Sequence, residues 1–122
     1  MVYAEKIITA LQRGSANTRW RDFADLYLLI GRHRIDGDQL QRALSTVAAY
    51  RQVASAPLAE VLDGYAALAQ PRWLAWRRKQ HLVDRLPQSF AEVLVAVVTF
   101  ADPALDGTVD GRRWDPATGT WT

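Results

Sequence analysis

The chain has 122 residues, 49% of them hydrophobic, which is the size and composition of one ordinary domain. Fifteen basic and 13 acidic side chains give a formal net charge of only +2, which excludes a strongly polybasic protein and restricts any nucleic-acid contact to a local patch. The absence of cysteine excludes disulfides, thiolate metal sites and cysteine nucleophiles. We expect a cytoplasmic protein without a membrane segment.

The first predicted helix covers about Val2 to Arg13, and Gly14 is a natural stop. Its apolar residues recur at the three-and-four spacing of one helix face: Ala4, Ile7, Ile8 and Leu11. The small polar segment GSANT follows, in which Thr18 can cap a second helix from about Arg19 to Ile30. The helical pattern begins within six residues of Met1, as in a chain cut from a longer protein.

Further helices are predicted from cap residues and prolines. The third is capped by Asp36 or Asp38 and carries Leu40, Leu44, Val47 and Tyr50; the others run from Leu58 to Ala69 after Pro57, from Pro71 to about Leu82, and from Pro87 to Phe100. Because the pattern before the tail is helical throughout, we expect an all-α fold, an irregular bundle of about six helices over residues 1–106.

The last segment, residues 107–122, differs from the rest in composition. Gly, Asp and Pro lie between Trp114 and Trp121, which predicts a short hairpin or ordered tail packed on the bundle. Three aspartates precede or begin this segment beside Pro103, Gly107 and Gly111, and we interpret them as turn and cap residues: Asp102, Asp106 and Asp110.

A cluster of charged residues occupies the first two predicted helices. Asp22 and Asp25 are three residues apart and share a helix face, with Arg19 three residues before Asp22 and Arg21 four before Asp25. The short GSANT connection favours an antiparallel hairpin, which brings Lys6 near both carboxylates. Charged residues on helix faces usually form only weak surface pairs, and that interpretation is the alternative.

The amino-acid sequence of this region closely resembles that of the AbiEii/AbiGii toxin family. AEK followed by TRWRDFADLYLL is similar to the family's A-[ED]-K helix and its R-x-[KR]-D-[LF]-x-D-[LI] helix. The later segments PRWLAWRRKQ, LPQSFAEVLVAVVTF, DPAL and WDPATGTW are similar to the later part of the family. The resemblance implies the helical C-terminal half of a nucleotidyltransferase from toxin–antitoxin and phage-defence systems, some of which transfer nucleotides to tRNA ends.

The resemblance also implies roles for the charged cluster. Lys6 matches the lysine assigned to nucleotide-phosphate binding, with Arg19 and Arg21 as further candidate nucleotide contacts. Asp22 and Asp25 match the acidic motif, one member of which belongs to the catalytic site. That aspartate could orient Lys6, hold the motif's arginine or assist the attacking hydroxyl, and the sequence does not choose among these roles.

The family's N-terminal half carries a G-S-x-x-D-x-D motif that binds metal ions, and this motif does not occur in the sequence. We therefore expect no metal site and no cofactor in this chain alone, although Mg²⁺ and a nucleoside triphosphate are implied for the complete family enzyme. The expected forms are an inactive truncated gene product, an isolated domain, or half of a site that a second polypeptide completes. Expected partners are RNA, a cognate antitoxin, a second copy of the chain or the complementing half.

A basic segment with interleaved tryptophans offers a candidate RNA contact. Aromatic rings can stack on unpaired bases while cations contact phosphate. The candidate residues are Arg72, Trp76, Arg77, Arg78 and Lys79. Alternatively, Trp73 and Trp76 pack inward while the arginines extend into solvent. The corresponding alternative function is a non-catalytic helical RNA-binding or protein-binding module left from a truncated toxin gene.

Overall fold

The computed structural model describes residues 2–16 and 19–122. Within these residues the helices are α1 (Val2–Arg13), α2 (Trp20–Ile30), α3 (Gly37–Arg51), α4 (Leu58–Val61), α5 (Tyr65–Lys79) and α6 (Phe90–Leu105), with strands β1 (Ile35–Asp36), β2 (Arg113–Asp115) and β3 (Thr120–Trp121). The predicted bundle of six helices is confirmed. The all-α class is wrong in one respect, because the three strands form a small antiparallel sheet in the order β1-β2-β3.

The first two helices lie close to their predicted positions. α1 has the predicted bounds, and its predicted apolar face is buried. Gly14 follows it with a φ of +55°, which a glycine adopts without steric cost, and a short 3-10 helix covers Gly14–Ala16. α2 begins at Trp20, and the predicted cap Thr18 lies outside the described residues.

The middle of the chain departs from prediction at two points. The predicted Leu58–Ala69 helix is broken at Gly64, whose φ of +76° ends one helical segment and begins the next. Pro71 does not start a helix but lies inside α5. Proline lacks an N–H, so the carbonyl of Ala67 loses its helical partner; Ala67 is exposed, and water can satisfy that carbonyl.

α6 forms the centre of the bundle and packs against α2, α3, α4 and α5. Its start was predicted at Pro87, but Ser89 is the cap, with its hydroxyl accepting a hydrogen bond from the N–H of Glu92 at 3.4 Å. The residues of α6 with no exposed surface are Phe90, Val93, Val97, Phe100 and Ala101. Among the helices of the described segments, none combines the length and hydropathy that crossing a membrane requires.

Asp102 belongs to α6 rather than to a turn, which corrects its predicted placement. Its carboxylate accepts hydrogen bonds from the backbone N–H groups of Leu58 at 2.6 Å and Ala59 at 3.2 Å. Asp102 therefore caps the first turn of α4 from a neighbouring helix. Asp106 follows α6 as its C-cap residue, and Asp110 accepts from the side chain of Gln41.

The C-terminal hairpin is confirmed, with Trp114 paired to Trp121 across β2 and β3. Both indoles reach the bundle: Trp114 Nε1 donates to the carbonyl of Ile30 at 2.7 Å and Trp121 Nε1 to that of Phe100 at 3.0 Å. The sequence analysis missed β1, which adds Ile35 as a partner of Trp114. The tail is thus fastened to the bundle by backbone pairing and by two indole hydrogen bonds.

Candidate functional site

Lys6 meets both aspartates of the acidic motif. Its Nζ lies 3.0 Å from Oδ1 of Asp22 and 3.1 Å from Oδ2 of Asp25. The two aspartates share one face of α2, and Lys6 reaches them from α1. The contact predicted from the helix spacing is confirmed, while the catalytic role of the three residues stays a prediction.

Asp22 is the buried member of this group, with a side chain 8% exposed against 36% for Asp25. Its second oxygen, Oδ2, lies 3.0 Å from Nε of Arg19, as the three-residue spacing predicted. A buried carboxylate is stable only when its charge is compensated, and Asp22 has a cation on each oxygen. Asp22 therefore holds Lys6 and Arg19 together. Asp25 is a second, more exposed partner of Lys6.

Lys6 remains a cation at neutral pH. Desolvation by partial burial lowers its pKa, but the hydrogen bonds and the charges of Asp22 and Asp25 raise it by more, so the net shift of the pKa is upward. A lysine with a raised pKa holds its proton and presents positive charge. This favours electrostatic stabilisation of an anion over proton abstraction.

Lys6 lines an open depression of about 370 Å³. α1 contributes most of its lining, the start of α2 one flank and the last residue of α3 the other. The lining residues are Val2, Glu5, Lys6, Thr9, Arg19, Asp22 and Arg51. Three of the seven are cations and two, Glu5 and Asp22, are carboxylates, so the depression combines a small excess of positive charge with space for a ligand.

Arg51 is the cation of this depression that the sequence analysis missed. Its Nη1 donates to Oγ1 of Thr9 at 2.7 Å, and its Nη2 forms an ion pair with Glu5. Arg51 ends α3, 42 residues beyond Thr9, and a basic residue in a last helical turn is common for purely local reasons. Arg51 is recognised as part of the depression only from the packing of α3 on α1.

Arg21, a predicted nucleotide contact, lies in different surroundings from Lys6 and Arg19. Its Nη2 donates to Oε1 of Gln80 at 3.0 Å, and its guanidinium carbon lies 5.8 Å from the ring centroid of Trp76. These contacts tie α2 to the end of α5. The structure therefore brings Lys6 and Arg19 together and directs Arg21 to the basic segment.

Within the basic segment, the aromatic side chains pack inward. Trp73 is fully buried, donates from Nε1 to the carbonyl of Pro87 at 3.1 Å and stacks on Trp76 at a centroid distance of 5.6 Å. Trp76 is half-buried between Trp73 and Arg21. This arrangement agrees with the inward-packing interpretation and leaves less ring surface for stacking on a base.

The cations of this segment divide into two kinds. Arg77 donates to the carbonyls of Leu86 at 2.9 Å and Val83 at 2.8 Å, so it fastens the turn after α5. Arg72, Arg78 and Lys79 are exposed. Contact of these three with RNA phosphate remains a prediction.

The acidic residues of the site do not fit a magnesium ion. In residues 2–16 and 19–122, no three His, Cys, Asp or Glu side chains form a group suited to a metal. Asp22 has both oxygens engaged by cations, and Asp25 shares the ammonium of Lys6. These carboxylates act as partners of lysine and arginine, and we derive no metal-dependent step from them.

Comparison with known families identifies the family of the chain. The family model described as nucleotidyl transferase AbiEii toxin, type IV TA system, matches residues 1–103. Comparisons with curated proteins and with solved structures gave no match. Because the match covers most of the chain, the chain belongs to the AbiEii nucleotidyl transferase toxin family.

Proposed function

We propose that this chain supplies the nucleotide-phosphate contacts of an AbiEii-type nucleotidyltransferase toxin that transfers a nucleoside monophosphate to RNA. The observation that carries the proposal is the ammonium of Lys6, held by Asp22 and Asp25 at the edge of a depression that Arg19 also lines. A fixed cation beside open space is what a triphosphate requires.

In the proposed reaction, a hydroxyl oxygen of the RNA attacks the α-phosphorus of a nucleoside triphosphate. A new phosphorus–oxygen bond forms, the hydroxyl proton passes to water, the bond to the bridging oxygen breaks, and pyrophosphate leaves with the bonding electron pair. Negative charge therefore builds on the leaving pyrophosphate. Lys6 stabilises that charge, because its raised pKa keeps it protonated throughout.

Asp22 and Asp25 act in this proposal as positioning residues for Lys6. Both oxygens of Asp22 are committed to cations, which supports an orienting role over direct assistance to the attacking hydroxyl. Asp25 is more exposed and restrains the ammonium from a second direction. Two carboxylates thereby fix a side chain that otherwise has many rotamers.

The proposal covers one part of a complete active site. The G-S-x-x-D-x-D motif is absent from the 122 residues, so we propose that this helical part requires a metal-binding core for transfer and is inactive alone. A cognate antitoxin is the further partner that membership of a type IV toxin family suggests.

The test is binding of inorganic tripolyphosphate to the 122-residue chain, measured by calorimetry. Lys6→Met should weaken binding by about tenfold or more, the effect of one charge-assisted contact. Lys79→Met is the matched control, because Lys79 is exposed at the end of α5 and should change affinity less than about twofold. Absence of binding by the unsubstituted protein, or equal loss in both variants, contradicts the proposal.

A second measurement does not depend on substitution. Lys6 and Lys79 are the two lysines of the sequence, so ¹⁵N-lysine labelling gives two side-chain ammonium signals. Tripolyphosphate should shift the Lys6 signal and leave the Lys79 signal in place. A uniform shift of both signals indicates non-specific attraction and contradicts a site at Lys6.

A further inference from the structure

Arg51 is held in the depression in a manner that local pairing on one helix does not explain. Its guanidinium bridges from the end of α3 to two residues of α1, Thr9 and Glu5. Thr9 is 8% exposed, so its hydroxyl is a fixed acceptor that sets the direction of the guanidinium. Glu5 is different, because its side chain is 49% exposed and can move at little cost.

The remaining donors of Arg51 are suited to an anion. A guanidinium has five N–H groups in a rigid fork that matches phosphate oxygens in pairs. Within residues 2–16 and 19–122, Arg51 contacts Thr9 through one terminal nitrogen and Glu5 through the other. Displacement of Glu5 frees one arm of the fork while Thr9 still holds the other.

The spacing along α1 places Arg51 beside Lys6. Thr9 follows Lys6 by three residues, which is a rise of about 4.5 Å along the helix axis. The guanidinium bonded to Thr9 is therefore about one turn from the lysine. Both residues line the same 370 Å³ depression, so one polyphosphate chain can contact both cations.

We propose that Arg51 is a second phosphate-contacting residue of this site and that Glu5 is its competing counter-ion, displaced when a polyphosphate binds. The inference rests on the proposed function, because it concerns the same depression. A polyphosphate carries more negative charge than one carboxylate and also engages Lys6, so it competes successfully for Arg51. A ligand with a single phosphate reaches only one of the two cations and should therefore bind more weakly.

The test compares two substitutions that remove the same ion pair from opposite ends. Arg51→Gln should weaken tripolyphosphate binding about tenfold and orthophosphate binding less than about threefold, because a single phosphate does not reach both cations. Glu5→Gln should strengthen tripolyphosphate binding severalfold, because the competing carboxylate is gone. Calorimetry on the whole chain measures each affinity, and thermal melting confirms that both variants are folded.

Matched controls remove the same charges outside the depression. Arg42→Gln removes an exposed guanidinium from α3, the helix that also carries Arg51. Glu60→Gln removes an exposed carboxylate from α4. Both should bind tripolyphosphate as the unsubstituted protein does, within about twofold. If the Arg51→Gln variant does not fold, Arg51→Lys takes its place in the test. Lysine keeps the charge but loses the fork, so its affinity for tripolyphosphate should lie between that of the unsubstituted protein and the value expected for Arg51→Gln.

The outcomes separate this inference from the proposed function. If Lys6→Met weakens tripolyphosphate binding but Arg51→Gln has the same affinity as the control Arg42→Gln, Arg51 does not contact the ligand. In that case only the inference fails. If Glu5→Gln weakens binding in parallel with Arg51→Gln, the pair is a structural tie, which also overturns the inference. If the unsubstituted protein does not bind tripolyphosphate, the proposed function and the inference both fail.

Discussion

Nζ of Lys6 lies 3.0 Å from Oδ1 of Asp22 and joins α1 to α2 across 16 residues of sequence. The Asp22 side chain is 8% exposed and the Lys6 side chain 20% exposed, so both members of the pair are largely shielded from solvent. Its geometry has consequences for stability as well as for ligand binding.

Asp22 and Asp25 should differ in their contribution to stability. Asp22→Asn removes a buried charge that faces two cations and should lower the free energy of unfolding by about 1–3 kcal/mol. Asp25→Asn, at a more exposed position, should cost less than about 1 kcal/mol. Urea denaturation of both variants measures the difference. Equal losses would show that burial of Asp22 has no energetic consequence.

The raised pKa of Lys6 predicts a loss of stability at alkaline pH. A lysine whose pKa is higher in the folded than in the unfolded state contributes stability fully below the unfolded value, 10.5, and loses it as pH rises through the folded pKa. The difference in unfolding free energy between the unsubstituted protein and Lys6→Met should be constant from pH 8 to about 10 and then narrow. A gap that widens above pH 10 has the opposite sign and contradicts the shift.

Two tyrosines also make the stability depend on pH in this range, and the comparison removes their effect. Burial raises the pKa of Tyr3 and of Tyr65 in the folded protein. Because the unfolded state then loses these protons first, both tyrosines lower the free energy of unfolding at high pH. Both are present in the two proteins. Their contribution cancels in the difference, which isolates Lys6.

Gly37 should tolerate no side chain. A Cβ at this position would lie 2.1 Å from the carbonyl oxygen of Val109 and 2.9 Å from that of Arg112, where the tail crosses the start of α3. Gly37→Ala should lower the free energy of unfolding by about 2 kcal/mol or more, because backbone must shift. At Gly31 a Cβ meets its nearest atoms at 3.5 Å, so Gly31→Ala should change stability by less than about 1 kcal/mol. Similar melting temperatures for the two variants would contradict the close approach.

The three exposed cations of the basic segment should determine the salt dependence of RNA binding. Replacement of Arg72, Arg78 and Lys79 by glutamine should reduce the slope of log K against log salt by about 2, since each lost phosphate contact on a single strand contributes about 0.7. A control variant with glutamine at Arg32, Arg34 and Arg42 removes the same charge elsewhere. Fluorescence anisotropy with single-stranded RNA measures the slopes, and identical slopes for both variants argue against an RNA contact at this segment.

Local patterns in the sequence predicted the part of the site that lies on neighbouring helices. The apolar face and Gly14 fixed the bounds of α1, and the three-residue spacing placed Asp22 and Asp25 on one face of α2. These are short-range effects of helix periodicity and glycine conformation. Together with the short GSANT connection, they were sufficient to predict that Lys6 comes near the two carboxylates.

Other features depended on contacts between distant parts of the chain. Periodicity places Arg21 near Asp25, yet the side chain of Arg21 contacts Trp76 of α5 and Gln80, the C-cap residue of that helix. Pro71 resembles a helix start, but α5 continues through it, because Ala67, four residues earlier, is exposed and water can reach its carbonyl. In each case, solvent access or a partner far along the chain outweighs the local preference.

The sequence by itself determined most of the individual helices, the terminal hairpin and the approach of Lys6 to its aspartates, because each depends on residues close to one another along the chain. The tertiary structure decided that Arg51 joins the depression, that Asp102 caps α4 and that Ile35 pairs with Trp114. These contacts join residues more than forty positions apart. They form only when buried apolar faces fix how the helices pack, and no local pattern encodes that arrangement.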